Sequence, residues 1–249
     1  MGSGVSEFRR IIDYRRSNSR TAAKWALADR LLWRNTRGSA SLFSLAPSDR
    51  SVEVSYLEIA KLVEEVAEHR IVVPASTPNT ASIVLWVEIE GSAVLLGGDL
   101  EESTDPRQGW RSIVASDTRP AGRAEVYKVA HHGSITAHSD DIWNVLLESG
   151  NISVIAPWRR GGGRLPTEND LVRIAGLSRQ TFVTDSALNG SKPVRRSRLV
   201  EDEMRKATRS WHKLDGMIGH VQLRRRAGEP WHVGLSSSAR QYVADLANW

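Results

Sequence analysis

The amino-acid sequence predicts an α/β fold, and three observations carry that prediction. Short apolar runs with strand character recur through residues 82–184, and amphipathic stretches with helical spacing stand between them. No internal repeat or low-complexity tract interrupts the alternation. The 249 residues are 40% hydrophobic and 25% charged, which fits one large globular domain or one and a half ordinary ones, not a disordered chain. No apolar run approaches the ~20 residues a bilayer span needs, and no apolar segment near the N-terminus resembles a secretory signal. The chain has no cysteine, so a metal site here must be built from histidine and carboxylates. Cytosolic residence is the simplest expectation, with no membrane as partner.

Taken in order, residues 7–34 read as a helix, with Ala22, Ala23, Trp25, Ala26, Leu27, Leu31 and Leu32 as the apolar stripe among arginines. A short strand is expected at 41–46, closed by Pro47-Ser48. A helix follows from Tyr56 to His69, on the spacing of Ile59, Leu62, Val63 and Val66, with Ser55 as its N-cap and Glu58 three residues on. Strands at 82–89 and 93–96 flank Glu90-Gly91-Ser92 as a hairpin. A helix at 109–115, a strand at 125–130, a helix at 140–148, a strand at 152–156, a helix at 167–175 and a strand at 181–184 continue the alternation. Residues 186–215 are polar and basic, with one helix at 200–207, and form the best candidate for a mobile loop or linker. Strand-like runs at 219–224 and 231–235 and a terminal helix at 239–247 complete the chain. Three regions follow: an N-terminal basic helical segment (1–40), an α/β domain (41–185) and a basic linker with a strand and helix extension (186–249).

Formal charge is +5, with a pI near 9.8. Basic residues crowd the first third and the stretch after Gly190, while carboxylates concentrate in residues 53–105. That balance is compatible with nucleic acid as partner or substrate, and equally with an arginine-rich soluble protein.

Two features carry chemistry, and both fall where a strand ends. Asp99 follows an apolar strand and Gly97-Gly98, at a sheet edge where α/β proteins place ligands. Alone, Gly98-Asp99 reads equally as turn chemistry. The second is His131-His132-Gly133-Ser134, where adjacent imidazoles point in different directions: one can take a metal while the other meets substrate. Imidazole with carboxylate suits zinc or manganese. A single histidine of the pair could as well serve only to hold a loop.

In series these residues resemble the metallo-β-lactamase-fold hydrolases related to the hydrolase domain of the DNA-uptake protein ComEC. The matching runs are Asn79-Thr80-Ala81-Ser82-Ile83-Val84-Leu85, Leu95-Leu96-Gly97-Gly98-Asp99 and Lys128-Val129-Ala130-His131-His132-Gly133-Ser134, within roughly residues 42–185. The resemblance implies an αββα sandwich and metal-assisted hydrolysis at a two-metal centre, usually zinc. It makes Asp99 the bridging carboxylate. One of His131 and His132 becomes a metal ligand, and the other a contact to substrate or leaving group. Asn79, near where many such proteins place another ligand histidine, has at most a supporting role.

The family's first motif, His-x-His-x-Asp-His, is absent, and its downstream His-Pro is Leu165-Pro166 here. The chain therefore looks like the second half of the sandwich. A partner chain could complete it, the sequence could be truncated, or catalysis could be lost. Exposed apolar strand faces favour a partner chain or self-association. Upstream of His131 the only histidine is His69, read as a solvent-facing helix end.

Other candidates are weaker. Ser134 reads as a loop organiser near substrate, and Arg159 and Arg160 beside Gly161–Gly163 as phosphate contacts or a solvated turn. His138 could line the pocket but reads better as an exposed loop residue. His212, His220 and His232, alternating with Trp211 and Trp231, read as packing or as a stacking surface for nucleic acid. The expected function is metal-dependent hydrolysis of a phosphoester, including a nuclease or phosphodiesterase reaction, with the first motif supplied elsewhere. The alternatives are an inactive pseudo-hydrolase acting as an interaction subunit, and a nucleic-acid-binding protein.

Overall fold

The computed structural model describes residues 24–67, 78–160, 163–185 and 219–243, with isolated residues in the flanking segments; for 62–67 and 160 only the backbone is described. The fold is α/β, with one large mixed sheet and few helices. Its eight strands run β1 (Arg30–Arg34), β2 (Ala40–Ala46), β3 (Val84–Ile89), β4 (Ser92–Leu96), β5 (Ala124–Lys128), β6 (Leu147–Ile155), β9 (Gln180–Val183) and β12 (Arg240–Tyr242), in that spatial order. Strands β1 to β4 form an antiparallel meander. Strands β4, β5, β6 and β9 are parallel, and β12 closes the edge antiparallel to β9. Two small ribbons, β7–β8 (Trp158–Arg160, Gly163–Leu165) and β10–β11 (His220–Arg224, His232–Ser236), lie outside this sheet.

Each face of the sheet has its own core, because side chains alternate along every strand. On one face the cross-strand row Trp86, Leu95 and Tyr127 is buried with Trp110 and Ile113 of α2 (Gly109–Val114), Leu171 and Ile174 of α3 (Glu168–Leu177), and Ile142 and Leu146 of a single π-helical turn. Tyr127 meets Trp110 and Trp143 edge-on, with ring centroids 6.3 and 5.6 Å apart. On the other face Val126, Ile152 and Phe182 pack under Val221, Leu223, Trp231 and Val233 of the β10–β11 ribbon. Further along that face, Leu42, Leu85, Val87 and Leu96 are only half-buried.

Several expectations require correction. Arg10, Asp13, Tyr14 and Ser17 are helical, but the helix expected over 7–34 does not reach its end: residues 24–27 have no regular structure and Arg30–Arg34 is a strand. Hydrogen bonding to β2 outweighs the apolar stripe that suggested a helix, and the segment 1–40 is not helical throughout. The helix expected from Tyr56 begins earlier, as α1 (Asp49–Ala67), and Ser48, not Ser55, starts it. Ser48 Oγ accepts from the Ser51 amide at 3.2 Å and its carbonyl from the Val52 amide at 3.0 Å. The helix expected at 140–148 starts at Asp140 but ends at Leu146: Asp140 and Asp141 are α-helical and Ile142–Leu146 a π-helical turn, because Leu147 already pairs with Ala124 and β6 starts there. The terminal helix expected from 239 gives way, at Arg240–Tyr242, to a strand paired with β9. Arg198, just ahead of the 200–207 expectation, and Asp202, Glu203 and Ala207 within it are helical; the other residues of 186–215, and His69 and His212, lie outside the described residues. Among the described residues no helix is long and apolar enough to cross a membrane.

Candidate functional site

The carboxyl ends of β4, β5 and β6, three adjacent parallel strands, converge on one place, which is where parallel sheets offer backbone and side chains to ligands. Asp99 follows β4, His131 and His132 follow β5, and Ala156 and Trp158 follow β6.

Small residues make this convergence possible. The Gly97 amide donates to the Lys128 carbonyl at 3.0 Å, and a Cβ there would stand 2.8 Å from Ala130 Cβ. Gly98 has φ +56° and lies against the Ile83 carbonyl, so a side chain would both strain the backbone and collide. The Asp99 amide donates to Ser82 Oγ at 2.9 Å, and the His131 amide to the Gly98 carbonyl at 3.0 Å. The Asp99 loop is thus held between the entry to β3 and the exit of β5.

Both histidines have left-handed backbones, with φ 41° at His131 and 57° at His132. That conformation is uncommon outside glycine, and such strain concentrates at functional positions. Arg173 of α3 holds the loop from below: its guanidinium donates to the Gly133 carbonyl and to Asp170, each at 2.8 Å. Asp170 also accepts from the Thr167 amide and hydroxyl, at 2.9 and 2.6 Å, closing the capping box of α3. Burial pushes the Asp170 carboxyl up, but the hydrogen bonds from Thr167 and Arg173 outweigh it and hold it below the ordinary range.

The two imidazoles have different partners. His132 Nδ1 is 2.8 Å from the Ala156 carbonyl, which can only accept, so Nδ1 carries the hydrogen. Its Nε2 is the ring nitrogen turned toward Asp99, 3.8 Å from Oδ1. Trp158 flanks the ring, with centroids 6.4 Å apart. His131 Nδ1 lies 3.0 Å from Glu101 Oε1, and its Nε2 is 3.5 Å from the Asn79 amide nitrogen. Glu101 is fixed in turn by Thr136 Oγ1 at 2.5 Å and Asn79 Nδ2 at 3.3 Å. Asp99 is half exposed, whereas the other three side chains retain about a fifth of their surface. Beside them, burial pulls the Lys128 ammonium below its ordinary value while the Asp99 carboxylate acts the other way.

Asp99, His131, His132 and Asn79 therefore come together, and Glu101 joins them unforeseen. Ser134 is buried, its Oγ accepting from the Thr136 amide at 3.3 Å, so it shapes the loop. Arg159 stands one residue beyond Trp158 and reaches Asp185 at 3.9 Å; the Arg160 side chain lies outside the described residues. His138 is a correction: it is half-buried, bonded to Asp140 at 3.1 Å and to the Trp143 indole at 3.3 Å, rather than exposed. Desolvation lowers its pKa, helped by Arg173 and opposed by Asp140.

Asp99 and His132 suit a divalent ion as a half-site. Two donors on one tetrahedral zinc stand roughly 3.4 Å apart, given bonds of about 2.0–2.2 Å, close to the 3.8 Å found. Among the described residues no group of three or more such side chains gathers around one point. Comparison of the chain with protein-family models, with curated proteins and with solved structures finds no match in any of the three.

Proposed function

We propose that the chain carries half of a metal-dependent hydrolase centre of the metallo-β-lactamase kind, acting on a phosphoester. The remaining ligands come from a partner chain, a second copy, or sequence beyond this chain. The observation that carries the reading is the His132–Asp99 pair, with His132 Nδ1 fixed by a backbone carbonyl so that Nε2 faces the carboxylate. Metal-binding histidines are oriented in this way.

Asp99 and His132 would hold the ion, zinc or manganese. When bound, the ion supplies Lewis-acid polarisation of a phosphoryl oxygen. His131, oriented by Glu101, keeps an acceptor at Nε2 that takes or returns a proton at the leaving group or attacking water. Asn79 fixes Glu101 and His131. Arg159 offers its guanidinium to a phosphate.

In this reading the eight-stranded sheet is one layer of an αββα sandwich, and the half-buried Leu42, Leu85, Val87 and Leu96 await a second layer. One observation favours a second reading, that of a non-catalytic interaction subunit: among the described residues no third metal-ligating side chain gathers with Asp99 and His132.

Hydrolysis of bis(p-nitrophenyl) phosphate and of single-stranded DNA, with zinc or manganese added, tests the proposal on the chain purified with its native associates. The expected result is metal-dependent cleavage that Asp99→Asn reduces by at least about 100-fold. Cleavage unaffected by Asp99→Asn, or none with an associate bound at equal stoichiometry, overturns it in favour of the interaction subunit.

A further inference from the structure

The paired-histidine loop continues through a single turn at Ile135–Ala137 to His138. Left-handed backbones such as those of His131 and His132 persist only where neighbours hold them. Two of those neighbours lie under the loop. Arg173 donates to the Gly133 carbonyl at 2.8 Å, and the Tyr127 hydroxyl accepts from the Ala130 amide at 3.2 Å. Tyr127 is buried, and Trp110 and Trp143 meet its ring edge-on.

Both supports lead to His138. The Trp143 indole, 9% exposed, donates to His138 Nδ1 at 3.3 Å. An indole N–H can only donate, so Nδ1 is bare and the ring hydrogen sits on Nε2, which donates to Asp140 Oδ1 at 3.1 Å. A neutral ring is therefore built into the geometry. A second proton would go to Nδ1, where it would face the indole hydrogen donor to donor. It would also set a cation near Arg173 of α3, whose charge acts with burial to hold His138 below the ordinary histidine range. Asp140 and Asp170 act the other way. Asp140, however, keeps 84% of its side-chain surface and is screened by water, and Asp170 is already engaged by Thr167 and Arg173.

We propose that His138 is a positioning residue for the paired-histidine loop, and that its protonation loosens that loop. At neutral pH it holds Trp143 against Tyr127, and so Tyr127 under Ala130. In acid the Trp143 bond is lost and repulsion acts on the Arg173 clamp, so both ties slacken together. The folded-state value lies below the ordinary 6.5, so the unfolded chain takes up the proton first. The support is complete above about pH 6.5 and is lost as pH falls through the folded value. The device uses no metal and stands whether or not the hydrolase reading does.

The test is NMR of the 15N-labelled whole chain in EDTA, from about pH 8 to about pH 4.5. It reads the His138 ring nitrogens, the Trp143 indole and the exchange protection of the Ala130 amide. The expected neutral ring is protonated at Nε2 and titrates below 6.5, and the Trp143 indole shifts with the same midpoint. Ala130 protection, corrected for intrinsic exchange, falls at least about 5-fold at the acid end. His138→Asn keeps an acceptor, Oδ1, in place of Nδ1 but takes no proton, so Ala130 protection changes less than about 2-fold over the same range. Asp140→Asn, on an exposed side chain, removes a charge that favours the proton and moves the transition to lower pH. A neutral ring protonated at Nδ1, or a ring that stays neutral to the acid end, overturns the proposal. So does an Asp140→Asn transition that does not move. Acid loosening of Ala130 that persists in full in His138→Asn also overturns it, and assigns the effect to His131 or His132.

Discussion

Arg173→Ala tests whether α3 holds the paired-histidine loop in place. Arg173 donates to the Gly133 carbonyl and to Asp170, each at 2.8 Å. Asp170 is only 4% exposed, so truncation leaves a buried carboxylate oxygen and a loop carbonyl without their donor. Breaking a buried pair from one side costs about 3–5 kcal/mol. Two features reduce that figure: Thr167 keeps its two bonds to the other Asp170 oxygen, and the Arg173 side chain retains 20% of its surface, so water reaches the gap. About 2–3 kcal/mol remains, which for a chain of this size lowers the unfolding temperature by about 4–12 °C. Thermal and urea unfolding followed by circular dichroism read the loss, with an unchanged m value showing that the unfolded state is the same. Asp170→Asn in a double-mutant cycle with Arg173→Ala gives a coupling of at least about 1 kcal/mol. A loss under about 1 kcal/mol with no coupling refutes the clamp.

Gly97→Ala places a methyl 2.8 Å from Ala130 Cβ and 2.9 Å from its amide, forcing apart the loops that carry Asp99 and His131. It costs about 1–3 kcal/mol by urea unfolding. Gly176→Ala, in α3 with nothing within 4 Å, is the control and stabilises by about 0.5–1 kcal/mol. Acid stability follows from two carboxylates. Asp105 is lowered to about 2, chiefly by the Arg107 side chain, and Asp170 is lowered as described. Both therefore contribute stability that is present above the unfolded value near 3.9 and lost as pH falls through the folded value. For Asp105 that window runs from about pH 4 to about 2, and urea midpoints against pH show a shallower acid slope in Asp105→Asn.

Where the sequence pattern is local, it reads through to the structure. The β3–β4 hairpin is visible because residues 82–96 hold apolar runs on either side of Glu90-Gly91, and the helix expected at 167–175 is found as α3, Glu168–Leu177. Elements that depend on distant partners do not read through. Residues 30–34 are a strand because β2 lies beside them, and Arg240–Tyr242 because β9 does. In the site, Asp99 and the paired histidines stand out because each follows an apolar strand and adjoins glycine. Glu101 does not stand out: it lies in an acidic stretch, and only the return of the chain through β5 sets it against His131. The division of labour between His131 and His132 has the same origin, since it depends on the Ala156 carbonyl, 24 residues downstream of His132.

Zinc bound per chain after equilibrium dialysis at fixed free zinc shows whether Asp99 and His132 are metal ligands. Elemental analysis of the wild-type protein is compared with Asp99→Asn and His132→Ala. Saturable zinc is expected in the wild type, with a loss of affinity of at least about 10-fold in each variant, because a half-site with one ligand left holds zinc poorly. Zinc that stays bound at equal affinity in both variants, or none bound by the wild-type chain with its native associates, contradicts that assignment.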